Sequence, residues 1–576
     1  MVDASEGWRP QSTEHLAILD LLGVPTGVVA LAKVDLVDGA TRDRVAAEVA
    51  DRLAGTALAG AAVVPTAAPS GLGLDALRAA LDQAIDRAPE PPDRGRPRLP
   101  VDRVFTMRGS GTVVTGTLSG GVLKAEGEAE LLPAGRRVRI RGLRCHGAPL
   151  ARATPARRLA VNLAGVATDE LARGDVLTLP GQWAPTTTAD CRLRCLAGAS
   201  APLRGRGAYL VYAGAAESAV RLQPLDADEV PPGKDALVRL HLERPLVLDV
   251  FEPVVLRDSG RDETVGGGRV LDPFPPAGVH GTAGRVRRAE ELEAREAGGW
   301  AGLLQRVLAE RGVAPLAELP GLIGTGPAGL AGPLQDATGS GRAVGSRTLA
   351  WSAPAWSSAR AAVLEAVEAH HRAEPLAPGL PTQAARQAAA AGRPGGAPGP
   401  PRVAGDAGRG ARPGGWPAAA GVEVVEALLA DGTLVADGPA VRLPHHGVQL
   451  DPAQQAVRAR VEQAMDAGPI TVLGDAALGE LGADRRMTAV LARLGVLVAI
   501  APGTYVGRTA LERAVQDLRR AFAADQPFAA TEAKEVLGTT RRTAIPLLEH
   551  LDRSGVTVRL GDLRRLAPVP GADAPP

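Results

Sequence analysis

Lysine is nearly missing from this 576-residue chain: Lys33, Lys124, Lys234 and Lys534 are the only four among 65 basic residues. A phosphate-cradling loop needs Gly-Lys followed by Ser or Thr, because the glycine lets the backbone close on the phosphates and the lysine reaches them. Only Lys234 follows a glycine, and Asp235 comes after it, so the chain as given carries no P-loop. Cysteine is also scarce. Three in 576 residues exclude a disulfide scaffold and fit a reducing cytosol, so a cytoplasmic location is expected. No apolar run approaches the ~18 residues of a membrane span, and Met1 to Pro10 lacks a charged-then-apolar leader pattern. A charge excess is missing as well: 65 Lys+Arg against 64 Asp+Glu gives +1. That excludes a histone-like protein and an acidic tail protein, and leaves room for a local basic patch. Hydrophobic residues make up 45% of the chain, enough for several cores, and the length is that of roughly three to five domains. The 70 Gly and 48 Pro reflect a compositional bias.

The chain changes style twice. Residues 1–90 alternate strand and helix. Leu16, Leu19 and Leu22 predict one helix face, with Ser12 or Thr13 as its cap. Val28 to Leu31 reads as a buried parallel strand, and Val45, Val49 and Leu53, spaced by four, predict a second helix that stops at Gly55. Ala61–Val64 and Leu74–Ile85 add a strand and a helix, the pattern of an open parallel sheet. From Arg98 to about Pro273, short β-rich runs alternate with glycine turns and no helix period appears, which predicts two all-β barrels. Cys191, Leu193 and Cys195 then share one strand face, pointing to a barrel core rather than to zinc. From about Arg285 onward a unit of helix, break, strand, turn and strand recurs, with copies ending at Leu443, Val506 and Leu566 and a weaker first copy ending at Trp351. This predicts tandem winged helices. Gln383 to Pro417 is Ala/Gly/Arg/Pro-rich without apolar periodicity, and reads as a linker or an insertion that disrupts one module. His370-His371 and His445-His446 are adjacent pairs without an evident carboxylate partner, so no metal site and no catalytic nucleophile is expected.

After Val28–Leu31 comes Ala32-Lys33-Val34-Asp35. A guanine base asks for a carboxylate to accept from its N1–H and amine and for a lysine stem over the ring, and a Lys-x-Asp at the carboxyl end of a parallel strand supplies both. Alone, the tripeptide is equally a strand-ending loop with solvated charges. The run Asp3 to Leu16, with the following Leu-Leu-Gly-Val and Ala-Lys-Val-Asp, resembles the segment of translational GTPases just after their magnesium motif. Residues 101–117 look like the first strands of their second domain. Glu243-Arg244-Pro245-Leu246 and residues 266–273 resemble the third domain of the bacterial selenocysteine-specific translation elongation factors, the SelB family, and residues 537–557 resemble that family's last module.

The resemblance implies the following organisation: the C-terminal part of an α/β P-loop GTPase domain (1–92), barrels at 98–182 and 186–273, and winged helices at 285–352, 356–448 (interrupted at 383–417), 450–507 and 509–568. It implies delivery of selenocysteyl-tRNA to the ribosome at UGA codons while tethered to an mRNA hairpin, with GTP and Mg2+ as the family's cofactors and no membrane partner. Lys33, Asp35 and Ala68 match the guanine-binding loops, with Ala32 where the family has Asn or Thr and Ala67-Ala68 where it has Ser-Ala. Asp102, Arg103 and Arg158 match the pocket that tells a selenocysteyl from a seryl end. The P-loop, first switch and Asp-x-x-Gly of the family fall upstream of Met1, which implies an N-terminally incomplete GTPase that binds GTP very weakly. Arg541 and Arg542 open the helix that carries Leu548 and Leu551 inward, and a helix N-terminus with two guanidinium groups is a phosphate site for RNA. The expected core of this last module is Leu518, Phe522, Val536, Leu548, Leu551, Val556 and Val558; residues 508–565 hold 11 basic and 8 acidic residues. The competing readings are a generic tRNA-carrying GTPase and a winged-helix nucleic-acid-binding regulator.

Overall fold

Residues 1–107, 111–276, 281–391, 416–468, 470–523 and 525–568 are described by a computed structural model. Within the irregular stretch 383–417, helix continues to Ala391 and the chain is described again from Trp416; residues 392–415 lie outside the described residues. The chain divides into two units, 1–362 with 386–424, and 363–385 with 425–576.

The first unit begins with a parallel sheet of β1 (Val2–Asp3), β2 (Val28–Ala32) and β3 (Ala62–Pro65), in that order, connected by α1 (Pro10–Leu21) and α2 (Gly39–Leu53) and followed by α3 (Leu74–Arg87). In α2 the spacing holds: Val45, Val49 and Leu53 are buried, and the Asp38 side chain caps the first turn by accepting from Thr41 N at 2.7 Å. α1 departs from expectation. It starts at Pro10, so Ser12 and Thr13 lie inside its first turn and no side chain caps it; proline at the first helical position is already set at a helical φ. Thr13 Oγ1 instead accepts from Trp8 Nε1 at 2.8 Å. Leu19 and Leu22 are exposed and Leu21 is buried. The reason is tertiary: α1 packs on strands 253–258 and 263–272 of the second barrel, where Glu14 Oε1 accepts from Arg257 and from Thr264 Oγ1 at 2.7 Å.

The first barrel comprises β4 (Arg98–Met107), β5 (Gly111–Thr117), β6 (Leu123–Lys124), β7 (Glu128–Leu132), β8 (Arg136–Cys145), β9 (Ala148–Leu150), β10 (Arg152–Ala153), β11 (Arg158–Ala164) and β12 (Val176–Thr178). Seven of these run in the order β11-β5-β4-β12-β7-β8-β9, and β11 also pairs with β8, closing the sheet. Alternating Leu99, Val101, Val114, Leu131, Ile140 and Val161 fill the interior. The second is a closed barrel, β13-β16-β15-β14-β17-β18, built from β13 (Thr186–Cys195), β14 (Tyr209–Ala213), β15 (Ala216–Pro224), β16 (Asp235–Leu246), β17 (Pro253–Asp258) and β18 (Glu263–Asp272). Cys191, Leu193 and Cys195 are fully buried in its core, as the strand alternation predicts.

α4 (Gly281–Arg311), broken at Gly299, leaves this barrel through a buried charge cluster. Arg239 grips Asp190 with two bonds of 2.6 and 2.9 Å, and Arg288 reaches Asp190 and Asp272 at 2.7 and 2.6 Å. Beyond it β19 (Val313–Pro315), α5 (Leu319–Ile323), α6 (Pro327–Gly339), β20 (Ala343–Gly345) and β21 (Leu349–Ser352) form one helix-and-hairpin module with sheet order β19-β21-β20.

α7 (Ala353–Ala373) carries the chain into the second unit. There follow β22 (Leu380–Pro381), α8 (Thr382–Ala391), α9 (Ala418–Ala430), β23 (Val435–Asp437) and β24 (Ala440–Arg442), with β24 central in a three-stranded sheet. The next module is α10 (Pro452–Met465), β25 (Val472–Gly474), α11 (Asp475–Glu480), α12 (Arg485–Arg493), β26 (Leu497–Ala501) and β27 (Thr504–Gly507). The last is α13 (Arg508–Ala521), β28 (Phe528–Ala529), α14 (Ala530–Val536), α15 (Arg541–Arg553), β29 (Thr557–Leu560) and β30 (Leu563–Leu566), with sheet order β28-β30-β29. Both paired-histidine motifs sit in the second unit; His371 at the end of α7 stacks on His446 with ring centroids 3.5 Å apart. Among the described residues no cluster of three or more metal-ligating side chains occurs, and no helix is long and apolar enough to cross a membrane.

Candidate functional site

Two loops meet at the carboxyl ends of β2 and β3. Lys33 leaves β2 in the left-handed region (φ 56°), turning the chain into the short 3-10 segment Val34–Leu36 that presents Asp35. Val34 N donates to Thr66 O at 3.2 Å, and Ala67 N to Leu72 O at 2.9 Å, so the Lys33–Asp35 and Thr66–Ala68 loops are held side by side. Ala67 is buried; Lys33, Asp35 and Ala68 are exposed. A glycine is needed at Gly73, where φ is +73° and an added Cβ would lie 2.0 Å from Pro65 O. The structure thus brings together the three residues expected at a guanine base, and adds a partner the sequence reading missed. Lys33 Nζ lies 2.7 Å from Asp3 Oδ2 at the end of β1. The hydrogen bonds from Lys33 and Ser5 hold the Asp3 carboxyl down at about 2, and the same contact raises the Lys33 ammonium. None of the four lysines stands in a Gly-Lys-Ser/Thr loop that would hold phosphates or magnesium. No hydrolysis step follows from these residues.

The second cluster lies on the outside of the first barrel. Asp102 and Arg103 come from β4, Thr115 from β5 and Arg158 from β11, and these strands are neighbours in the order β11-β5-β4. Between Val101, opposite Gly116, and Arg103, opposite Thr115, β4 holds one extra residue. This bulge is at Asp102, and bulges re-aim side chains in this way. Arg158 grips Asp102 with both terminal nitrogens, Nη1 to Oδ2 at 2.5 Å and Nη2 to Oδ1 at 3.1 Å, and Thr115 Oγ1 donates to Oδ1 at 2.5 Å. Partial burial works against the charged carboxyl, but the bonds from Thr115 and Arg158 and the nearby Arg103 outweigh it and lower the Asp102 pKa. Asp102 is about a quarter exposed and Arg158 about half, at 26% and 52% of their side-chain areas. Residues 56 positions apart in sequence are thus joined in one site. Thr115 was not singled out from the sequence; it occupies the strand position facing outward next to Asp102, but alternation alone assigns it no role.

In the last module α14 and α15 form a helix-turn-helix, and β29–β30 form a wing closed by Gly561-Asp562, with Gly561 at φ +67°. Arg541 and Arg542 open α15 and are exposed, while Ala544, Leu547, Leu548 and Leu551 of the same helix are buried. Thr540 stands at the N-cap position, but neither it nor Thr539 supplies a side-chain cap. Two expected core residues are not core: Val536 is 37% and Val558 43% exposed. Their places are taken by Phe528, wholly buried and stacked on Phe522 at 4.3 Å, and by Leu547 and Leu566. Val558, Leu560 and Leu563 instead give the wing an exposed apolar surface. Arg564 is spent internally, buried and bonded to Asp552 at 2.9 Å.

Comparison with known proteins adds independent findings. The family model "Elongation factor Tu GTP binding domain" matches residues 1–87, and "Elongation factor Tu domain 2" matches 111–178. "Selenocysteine-specific elongation factor, beta-barrel domain" matches 190–277, and "Elongation factor SelB, winged helix" matches 520–566. A selenocysteine-specific elongation factor of Desulfomicrobium baculatum is 32% identical over 589 residues, covering 98% of this chain and 87% of that protein. That of Escherichia coli K12 is 34% identical over 277 residues, 48% of this chain and 43% of that protein. The crystal structure of the bacterial selenocysteine-specific elongation factor EF-Sec superposes with a TM-score of 0.67 at 18% identity, over 99% of this chain and 86% of that one, a likeness of fold.

Proposed function

This chain belongs to the selenocysteine-specific elongation factors, and on that premise we propose that its first barrel receives the selenocysteyl end of an aminoacyl-tRNA while its last module holds an mRNA hairpin at the ribosome. The observation that carries the reading is the Asp102–Arg158 pair beside Arg103, two guanidinium groups against one carboxylate on a partly exposed barrel face. A selenol is mostly ionised at neutral pH and a serine hydroxyl is not. A surplus positive charge therefore separates the two by charge where shape cannot. At ~4 Å and an effective dielectric constant of about 20, one such pair is worth about 4 kcal/mol. Asp102 fixes the Arg158 fork in place, so the site is ordered before the amino acid arrives and less entropy is lost on binding.

The RNA tether raises the local concentration of the factor near the codon, an effect of linkage that needs no contact at the codon itself. Guanine-nucleotide binding is a property of the family. In this chain the Lys33–Asp35 and Thr66–Ala68 loops lie side by side, which supports a base site, and the Gly-Lys-Ser/Thr that would hold the phosphates is not in the sequence. Calorimetry on the 576-residue chain is expected to show little or no GTP binding; micromolar affinity would overturn that expectation.

The pocket is tested by titrating selenocysteyl-tRNA and seryl-tRNA against the chain and its Arg158→Ala variant at neutral pH. The variant is expected to lose at least tenfold of its preference for the selenocysteyl form. Equal losses for both tRNAs would reduce Arg158 to a backbone contact or a barrel support and sink the reading.

A further inference from the structure

The winged helices do not use their second helix alike. In the last two modules it opens on a pair of arginines, Arg485 and Arg486 in α12 and Arg541 and Arg542 in α15. In the first module the corresponding helix is α6, which holds no lysine or arginine and one aspartate, Asp336. A helix that reads nucleic acid presents its N-terminal residues to it and is flanked by cations. α6 offers neither, because its first turn is occupied by protein. Gly326 N, at the N-cap, donates to Arg94 O at 2.6 Å, and Thr325 Oγ1 reaches the same oxygen at 3.4 Å. Arg94 belongs to residues 88–97, the linker from α3 of the parallel-sheet domain to β4 of the first barrel.

The linker is gripped from both sides. On the barrel side, Arg94 N and Arg96 N both donate to Gly120 O, at 3.0 and 2.9 Å. On the winged-helix side, Gly326 fits only as glycine, since an added Cβ would lie 2.2 Å from Gly95 O. The Arg94 guanidinium lies 3.3 Å from the centre of the Trp300 ring, just past the break of α4 at Gly299. Trp300 in turn stands edge-on to Phe251, in the β16–β17 loop, at 5.0 Å. Gly324 (φ +66°) makes room for the indole, because a Cβ there would lie 2.3 Å from it. A cation held over an indole face away from bulk water is held more firmly than one at an exposed site. Next along, Arg96 is buried, stacked on Trp183 at 3.4 Å and bonded to Asp249 Oδ1 at 2.7 Å. The linker is thus tied to parts of the chain 153 and 231 residues further on. The parallel-sheet domain is also attached through α1, where Glu14 meets Arg257 and Thr264 and Asp20 pairs with Arg194.

We propose that the first winged helix is a clamp on this linker, and that Trp300 and Gly326 are positioning residues that set where the parallel-sheet domain stands against the first barrel. The domain turns on the barrel only if the linker backbone turns. The backbone cannot turn while Gly326 N holds Arg94 O and Trp300 holds the guanidinium. Seating of the winged helix and position of the domain are then one equilibrium, so a change that unseats the first frees the second.

The test uses the full chain and trypsin under native conditions. The Arg94–Gly95 bond lies in the clamp, Arg96 is protected by the following Pro97, and Arg87 at the exposed end of α3 gives an internal reference cut. Cleavage at a held bond waits for local opening. Trp300→Leu and Gly326→Ala are each expected to speed the cut at Arg94, relative to that at Arg87, by at least about tenfold, the order expected for losing a good hydrogen bond or cation–π contact. Trp300→Phe keeps an aromatic face and should restore most of the protection. Gln335→Ala, exposed further along α6, should change nothing. Trp300 lies outside the buried core of its module, so its variants leave that core intact. Domain position is read separately. The three natural cysteines are buried, so spin labels go only to Asp51→Cys on α2 and Arg137→Cys on β8, both exposed positions. The distance between labels should be single and narrow in the parent and broad once Trp300→Leu or Gly326→Ala is added. A cut at Arg94 that is no faster in either variant would overturn the clamp. A faster cut with an unchanged distance distribution would overturn the positioning role, because the linker would then be held without setting where the domain stands.

Discussion

The junction of the second barrel with α4 and the N-terminus of α15 are both arginine-rich, and they use arginine in opposite ways. At the junction, Asp190 and Asp272 are wholly buried and Arg288 and Arg295 almost so, at 2% and 1%. Every one of these charges faces a partner: Arg295 reaches Glu310 at 2.7 Å and Asp272 at 3.2 Å, and Arg288 reaches both aspartates. Burial alone would raise the Asp272 carboxyl, but Arg295, Arg288 and Arg311 outweigh it and hold it well below its ordinary value. At α15, Arg541 and Arg542 are exposed and carry no ion pair among the described residues. Matched charges out of water fix geometry, since each is costly unless all its partners are in place. Unmatched charges in water fix nothing and stay available to a phosphate. Arginine content by itself therefore does not locate an RNA-binding face; neutralisation does.

Breaking the buried set should have the largest effect. Arg288→Met takes one of its two arginine partners from each of Asp190 and Asp272, leaving Arg239 and Arg295 in place, and removing one member of a buried charge set costs about 3–5 kcal/mol; calorimetry should show the lowest-melting transition moving down markedly. The same cluster sets an acid limit. Because the Asp272 pKa is lowered on folding, its stabilisation is present above the ordinary carboxylate value of 3.8 and is lost as pH falls below it. Urea midpoints of the parent should therefore drop as pH falls through that range, and those of Asp272→Asn should fall less steeply from a lower start. Of intermediate size is Arg541→Ala with Arg542→Ala, tested against the organism's selenocysteine mRNA hairpin. At ~1–3 kcal/mol per good bidentate contact, affinity should fall at least tenfold, while the melting profile stays in place. Unchanged binding across salt would shift attention to the apolar wing at Val558, Leu560 and Leu563. The smallest effect is expected at Arg458, an exposed i,i+4 partner of Glu462 at 2.8 Å. Arg458→Ala should cost no more than about 0.5 kcal/mol, and a larger loss would blur the line between matched buried and exposed charge.

How far the fold could be read in advance varied with how local its cause was. The α2 stripe of Val45, Val49 and Leu53, the buried face of Cys191, Leu193 and Cys195, and the hairpin turn at Gly561-Asp562 all follow from period and turn chemistry within a few residues. α1 could not be read this way, because its buried face is chosen by the second barrel, more than 200 residues away in sequence. Val536 and Val558 have core-like side chains but stand exposed, while Phe528 on a two-residue strand is wholly buried in the core.

The same division holds at the candidate sites. Sequence determined which side chains were on offer: Lys33 and Asp35 after a parallel strand, Asp102 and Arg103 at the start of a barrel, Arg541 and Arg542 at a helix start, and the absence of Gly-Lys-Ser/Thr. The tertiary structure decided which of them meet and which are neutralised. Arg158 closes on Asp102 only because β11 and β4 flank β5, and Lys33 finds Asp3 only because β1 pairs with β2. Strand order and register are set by non-local pairing, which a run of residues does not encode until the sheet closes.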